Sequence, residues 1–152
     1  TYYGNQKQEY GLWRHGEEGW NPRPGYYAWS LITRYTRPGS KVLAVSVSPP
    51  AFDVRSVALQ APDGALTCLI VNRYPRVIRA RVRLPSAAGQ ADVFTYSRET
   101  VAAAGEAMLV RNPTPVGRAG ALEVGMPAES FVLLRAPPGL GHSAHREEAE
   151  PQ

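Results

Sequence analysis

Residues able to do chemistry are concentrated in one short run of this chain, LWRHGEEGW, which holds Trp13, His15, Glu17 and Glu18. An indole offers a flat apolar face for a ring-shaped ligand such as a sugar, and an N–H to orient it. Histidine titrates near neutrality, and paired carboxylates can share general acid and base work. The spacing argues against catalysis here. A catalytic pair faces one pocket from separate rigid elements, whereas Glu17 and Glu18 are neighbours in a glycine-rich loop and point in different directions. They read as a solvated loop. His15 reads as a ligand contact or an ordinary loop histidine. Trp13 has two readings that stay open: a stacking surface for a sugar ring, or a core residue beneath the helix that follows.

The other candidates are weaker. Cys68 is the single cysteine, so no internal disulfide framework exists. It lies in the apolar run LTCLIV without an activating partner, as a small core residue does. His142 and His145 have a metal-like spacing, but they sit in a polar tail without further ligands, and no metal or cofactor is expected. The net charge is +4, with Arg supplying all but two of the 17 basic residues. Arg79, Arg81 and Arg83 alternate with Ile78, Ala80, Val82 and Leu84. Alternation puts the arginines on one strand face and the apolar residues on the other, which is a solvated outer face. No stacking aromatics interleave with these charges, so nucleic acid is not an expected partner.

These residues need elements to position them. Glu9–Arg14 reads as a short strand and His15–Pro24 as a loop. Tyr26 to about Arg37 is the one helix, with Tyr27, Leu31 and Tyr35 at i, i+4, i+8. Pro24 suits its first turn and Pro38-Gly39 stops it. From Lys41 the period changes to two, with strands expected at Lys41–Ser48, Val54–Ala61, Leu66–Asn72, Val77–Leu84 and Ala91–Ser97. Asp63-Gly64 marks a tight turn. Leu66–Asn72 is apolar on both faces, hence central. Residues 98–120 read as a long loop with an edge strand near Met108–Arg111. Ala121–Val124 and Ser130–Ala136 close the series.

The chain has 152 residues, enough for one domain with a real core. Pro and Gly number 14 each, about 18% of the chain against an average of about 12%. Such a chain is rich in turns. Seven or eight short strands at near-regular spacing predict a mostly β fold, an antiparallel β-sandwich. Residues 137–152 have the composition of a disordered tail. No apolar run approaches the ~20 residues of a membrane span, and no membrane partner is expected. The chain opens on Thr1 without a secretory signal, as a processed protein or a fragment would.

The segment YGLWRHGEEGWNPRPGYYAWSLITRYTRPGSKVL resembles the end of a retaining glycoside hydrolase of the (β/α)8-barrel clan. Members carrying a C-terminal β-sandwich, such as the xylosidase-, iduronidase- and glucosylceramidase-like enzymes, are the most similar. GMPAESFVLLRA resembles the closing strand of their sandwiches. The resemblance implies that residues 1–40 are the terminal βα unit of an incomplete barrel and 41–136 a sandwich supporting it. Tyr10–Arg14 would then be the eighth barrel strand. Trp13 would be the pocket aromatic, with His15 and Glu17 in the loop at the sugar site's edge. The carbohydrate substrate and the missing barrel are the implied partners. The two glutamates such enzymes use would lie outside this chain, which holds no catalytic residue and is expected not to hydrolyse glycosides alone. A stand-alone carbohydrate-binding module and a purely structural domain are the alternatives. A helix made to cover a barrel should leave Tyr27, Leu31 and Tyr35 open, and their full burial would count against the fragment.

Overall fold

A computed structural model describes residues 11–14, 21–84, 89–100, 111–117 and 120–138. The elements are α1 (Pro24–Tyr35), β1 (Lys41–Leu43), β2 (Val54–Gln60), β3 (Leu66–Asn72), β4 (Ile78–Arg83), β5 (Gln90–Tyr96), β6 (Asn112–Pro115), β7 (Ala121–Met126) and β8 (Ser130–Ala136). Six strands form one antiparallel sheet in the order β1-β2-β3-β8-β5-β6, and β4 pairs with β7 in a second. The two sheets enclose a shared core, and α1 lies on the other face of the larger sheet. The fold is the expected mostly β antiparallel sandwich.

Local chemistry accounts for most boundaries. Pro24 occupies the first helical position, where its missing N–H has no partner to lose, so α1 begins two residues before Tyr26. Thr36 is extended and closes the helix by donating its N–H and Oγ1 to the Ile32 carbonyl, at 3.0 and 2.8 Å. Gly39, at φ +78°, then supplies the left-handed turn that lets the Ser40 N–H reach the Arg37 carbonyl. Asp63-Gly64 makes the β2–β3 turn. Gly64 takes φ +83°, the Ala61 N–H returns to the Ala65 carbonyl at 2.9 Å, and Asp63 Oδ1 accepts the Ala65 N–H at 3.0 Å. That last hydrogen bond, followed by the Arg37 and Arg135 guanidiniums, holds the Asp63 carboxyl below its ordinary pKa.

Three expected strands differ from the observed ones. Lys41–Ser48 shortens to β1, Lys41–Leu43, and Val45 and Val47 are exposed. Alternation alone does not hold a strand; beyond Leu43 the chain leaves β2 and runs to Pro49-Pro50, which cannot continue a ladder. In Glu9–Arg14, residues 9–10 lie outside the described residues, and 11–14 form no strand. Trp13 makes a single antiparallel bridge to Pro22. A barrel strand pairs with parallel neighbours; among the described residues the backbone that residues 11–14 meet is the chain's own return at Asn21–Arg23. The edge strand forecast near Met108–Arg111 falls on residues outside the described ones except for Arg111, which is in no strand; the described edge strand is β6, Asn112–Pro115. Pro113 and Pro115 sit on the outermost strand, where prolines lacking an N–H are tolerated.

Two residue sets alternate along the central strands. Leu66, Cys68 and Ile70 of β3, Ala91 and Val93 of β5, and Val132, Leu134 and Ala136 of β8 face the β4–β7 sheet. Leu122, Val124 and Met126 meet them from β7, while Ile78, Ala80 and Val82 pack from β4 with their arginine neighbours exposed. The opposite face carries Leu69, Phe94, Phe131 and Leu133, over which α1 lays Tyr27 and Leu31.

That contact overturns one expectation. Tyr27 and Leu31 are 4% and 3% exposed, sealed by the sheet of this same chain, and Tyr35 is half-buried against Phe94 at a ring separation of 5.1 Å. The sandwich offers its own apolar face at the height of α1, and burying a leucine there is worth about 2 kcal/mol. The open side of α1 is the opposite one. Trp29 stands there 59% exposed.

Candidate functional site

The segment around Trp13 is built from two short backbone stretches laid antiparallel. The Arg14 N–H donates to the Asn21 carbonyl and the Arg23 N–H to the Leu12 carbonyl, each at 2.8 Å. These bonds tie residues 12–14 to residues 21–23. Arg23 Nε adds a bond to the Trp13 carbonyl at 3.3 Å. Pro24 follows at once, so the stretch is joined rigidly to the first turn of α1. The Trp13 ring packs on Tyr26 at 5.1 Å between centroids, tilted by 57°, and Tyr26 meets Tyr27 edge to face at 5.7 Å.

Trp13 is therefore half-buried. Its ring partner, Tyr26, lies in the first turn of α1 and packs against the cluster between helix and sheet. Of the three expected ligand contacts, the structure describes Trp13 alone; His15 and Glu17, with Glu18 and Trp20, lie outside the described residues. His142 and His145 do as well, as does the tail beyond Pro138.

The far end of α1 is tied by polar contacts. Arg37 bonds Asp63 at 2.9 Å, Thr67 Oγ1 donates to the Tyr35 carbonyl at 2.9 Å, and Arg135 approaches both Thr67 and Asp63. The C-terminal end of the helix is thus tied to the sheet by polar contacts, while Trp29 is exposed on the side away from it. Spacing alone put Tyr27, Leu31 and Tyr35 on one apolar face of α1. It did not show how much of that face this chain keeps for itself.

Cys68 is the small core residue expected of it; burial pushes its thiol up to about 11. Among the described residues no group of three His, Cys, Asp or Glu side chains is placed to hold a metal ion. No described helix is long and apolar enough to cross a membrane.

No protein-family model matches the chain, and no curated protein matches it in sequence. Solved structures do match. The catalytic domain of family 30 glycoside hydrolase xylanase C from Talaromyces cellulolyticus superimposes with a TM-score of 0.66 at 16% identity, covering 88% of this chain and 29% of that one. The family 30 subfamily 8 xylanase from Clostridium acetobutylicum gives 0.65 at 13% identity, covering 84% and 30%. The family 51 arabinofuranosidase from Xanthomonas axonopodis pv. citri gives 0.56 at 14% identity, covering 83% and 28%. At these identities the likeness is one of fold. This chain spans less than a third of each of those chains.

Proposed function

We propose that this chain is the C-terminal part of a larger glycoside hydrolase. In this reading residues 1–40 are the terminal βα unit of a (β/α)8 barrel, 41–136 the sandwich that braces it, and 137–152 a tail. The observation that carries the reading is the fold likeness: most of this chain is matched, against less than a third of each glycoside hydrolase. The exposed Trp29 side of α1 supports it, since a barrel's last helix packed on a sandwich has one side for each neighbour. The burial of Tyr27 and Leu31 within this chain counts against the reading, while Tyr35 is not fully buried. The whole protein would act on carbohydrate, with Trp13, His15 and Glu17 at the pocket's edge.

In such an enzyme the acid and the nucleophile are carboxylates about 5–5.5 Å apart at the ends of two barrel strands. No segment here resembles either motif, so the catalytic groups would lie on the barrel. The test is to incubate the purified 152-residue protein with aryl xylosides, glucosides and arabinofuranosides. No turnover above the uncatalysed rate is expected. Turnover abolished by Glu17→Gln or Glu18→Gln would sink the reading.

A further inference from the structure

A cleft of about 400 Å³ opens at one end of the six-stranded sheet, on the face that carries α1. That volume lies in the range of small-molecule sites, about 300–1,000 Å³. Its floor is one row of cross-strand neighbours, Val71 of β3, Phe131 of β8 and Tyr96 of β5. The Tyr96 and Phe131 rings stack at 4.7 Å with 12° between their planes. Two residues of opposite charge, Arg73 and Glu129, stand at the walls.

The polar groups divide into two sets. One set is spent on holding the loops. Asn72 Nδ2 donates to the Arg76 and Pro127 carbonyls at 3.0 and 2.6 Å, and Asn72 Oδ1 accepts the Tyr74 N–H. Ser130 Oγ donates to the Pro127 carbonyl at 2.7 Å. The other set is unspent. The Arg73 guanidinium, the Glu129 carboxylate and the Tyr96 hydroxyl have no hydrogen-bond or ion-pair partner among the described residues, and Arg73 and Glu129 do not pair with each other. Arg76, close by, is occupied over the Tyr74 ring. Glu129 is also the one described non-glycine residue at positive φ, +47°, held there by its N–H on the Tyr74 carbonyl at 3.0 Å. A left-handed backbone of this kind suits glycine or asparagine better, and strain of this sort gathers at functional sites.

We propose that this cleft binds a sugar unit, at a site separate from the Trp13 edge. The carbon-bound hydrogens of a sugar ring would lie on the Phe131–Tyr96 floor. Arg73 offers donors and Glu129 acceptors to neighbouring hydroxyls, and the Tyr96 hydroxyl can do either. A neutral ligand with both donors and acceptors satisfies a cation and an anion together; a simple anion or cation would leave one unmatched. Burial raises the Tyr96 phenol above its ordinary pKa, so it stays a hydroxyl. The preference for a sugar among neutral polyols rests on the glycoside hydrolase reading.

The test is a titration of the isotope-labelled 152-residue protein with xylotriose and cellotriose, followed by amide chemical shifts. Saturable shifts are expected at residues 71–73, 96–97 and 129–131. Arg73→Ala and Tyr96→Phe should each weaken binding about tenfold, as loss of a hydrogen bond to a buried or charged group does. Trp29→Ser, on the open side of α1, should leave cleft binding unchanged. Arg73 is exposed and Tyr96→Phe keeps the ring, so both variants preserve the fold. Absence of shifts at the cleft, or binding indifferent to both variants, overturns the proposal. Shifts confined to residues 11–14 and 21–23 would also overturn it while leaving the glycoside hydrolase reading in place, which the turnover assay tests independently.

Discussion

The two faces of the six-stranded sheet are covered in different ways. One face meets the β4–β7 sheet through aliphatic residues whose centre excludes water completely; Met126 and Val132 are 0% exposed. Among the described residues, the other meets a single helix through aromatic residues, and that cover is partial. Phe94 and Leu133 are sealed under α1, Tyr35 and Phe131 are half-buried, and Val42 and Val57 on the same face are exposed. A twisted sheet of six strands is wider than one helix, so a lone helix shields one band of it. The first face is a folding core. The second leaves room at its margins, and the cleft at Tyr96 and the exposed Trp29 both lie on that side.

The largest expected effect tests the closed face. Leu134→Ala should cost about 4 kcal/mol of unfolding free energy, read from denaturant midpoints, because the packed surroundings cannot collapse into the cavity. A cost below about 1 kcal/mol would mean that this core is loose.

The next effect is a pH dependence on the same face, where Cys68 pairs in register with Leu134. Burial raises the thiol from 9.0 to about 11. The folded state then keeps a proton that the unfolded state releases. The stability associated with the neutral thiol is complete below pH 9.0 and is lost as the pH rises towards about 11, by about 2–3 kcal/mol. Denaturation at pH 8 and pH 10.5 should show about 2 kcal/mol of this loss in the parent protein and not in Cys68→Ala. An identical loss in both would remove the buried thiol as its source.

On the helix face, Leu31→Ala should cost about 2 kcal/mol, less than Leu134→Ala because half-buried Tyr35 and Tyr26 can close over the gap. If Leu31→Ala cost as much as Leu134→Ala, the two faces would be equally packed. The smallest effect is at the open side of α1. Trp29→Ser should change the stability of this chain by under about 0.5 kcal/mol, the range of an exposed substitution. A loss above 1 kcal/mol would show that the indole is packed within this chain.

What was legible in the residues follows from which rules act locally. Period-two alternation located β2 and β4 and put the arginines of β4 outward, because a strand with one solvated face exposes alternate residues, and a run apolar on both faces marked β3 as central. Pro24, Pro38-Gly39 and Asp63-Gly64 marked the ends of α1 and the β2–β3 turn, because their backbone preferences need no tertiary help. The same alternation misled at Val45 and Val47, where the strand's continuation depends on a partner the chain moves away from. At Asn112–Pro115 the prolines hid an edge strand, since proline forbids only a strand that must donate on both sides.

The candidate sites were legible in unequal measure. Trp13 stood out by residue type and by its place before the helix. Arg73, Tyr96 and Glu129 carried no signal, being separated by more than twenty residues and ordinary in their local settings. Only the β3–β8–β5 pairing brings them to one cleft. Nor could periodicity choose whether the sandwich would cover the Tyr27 and Leu31 face of α1, because an apolar face satisfies any apolar neighbour. By itself the sequence determined the elements, their turns and the closed aliphatic core, which depend on backbone preference and on alternation. The tertiary structure decided what the helix hides, what it leaves open, and which distant charges share a cleft, because those outcomes depend on strand order and on the finite width of a helix.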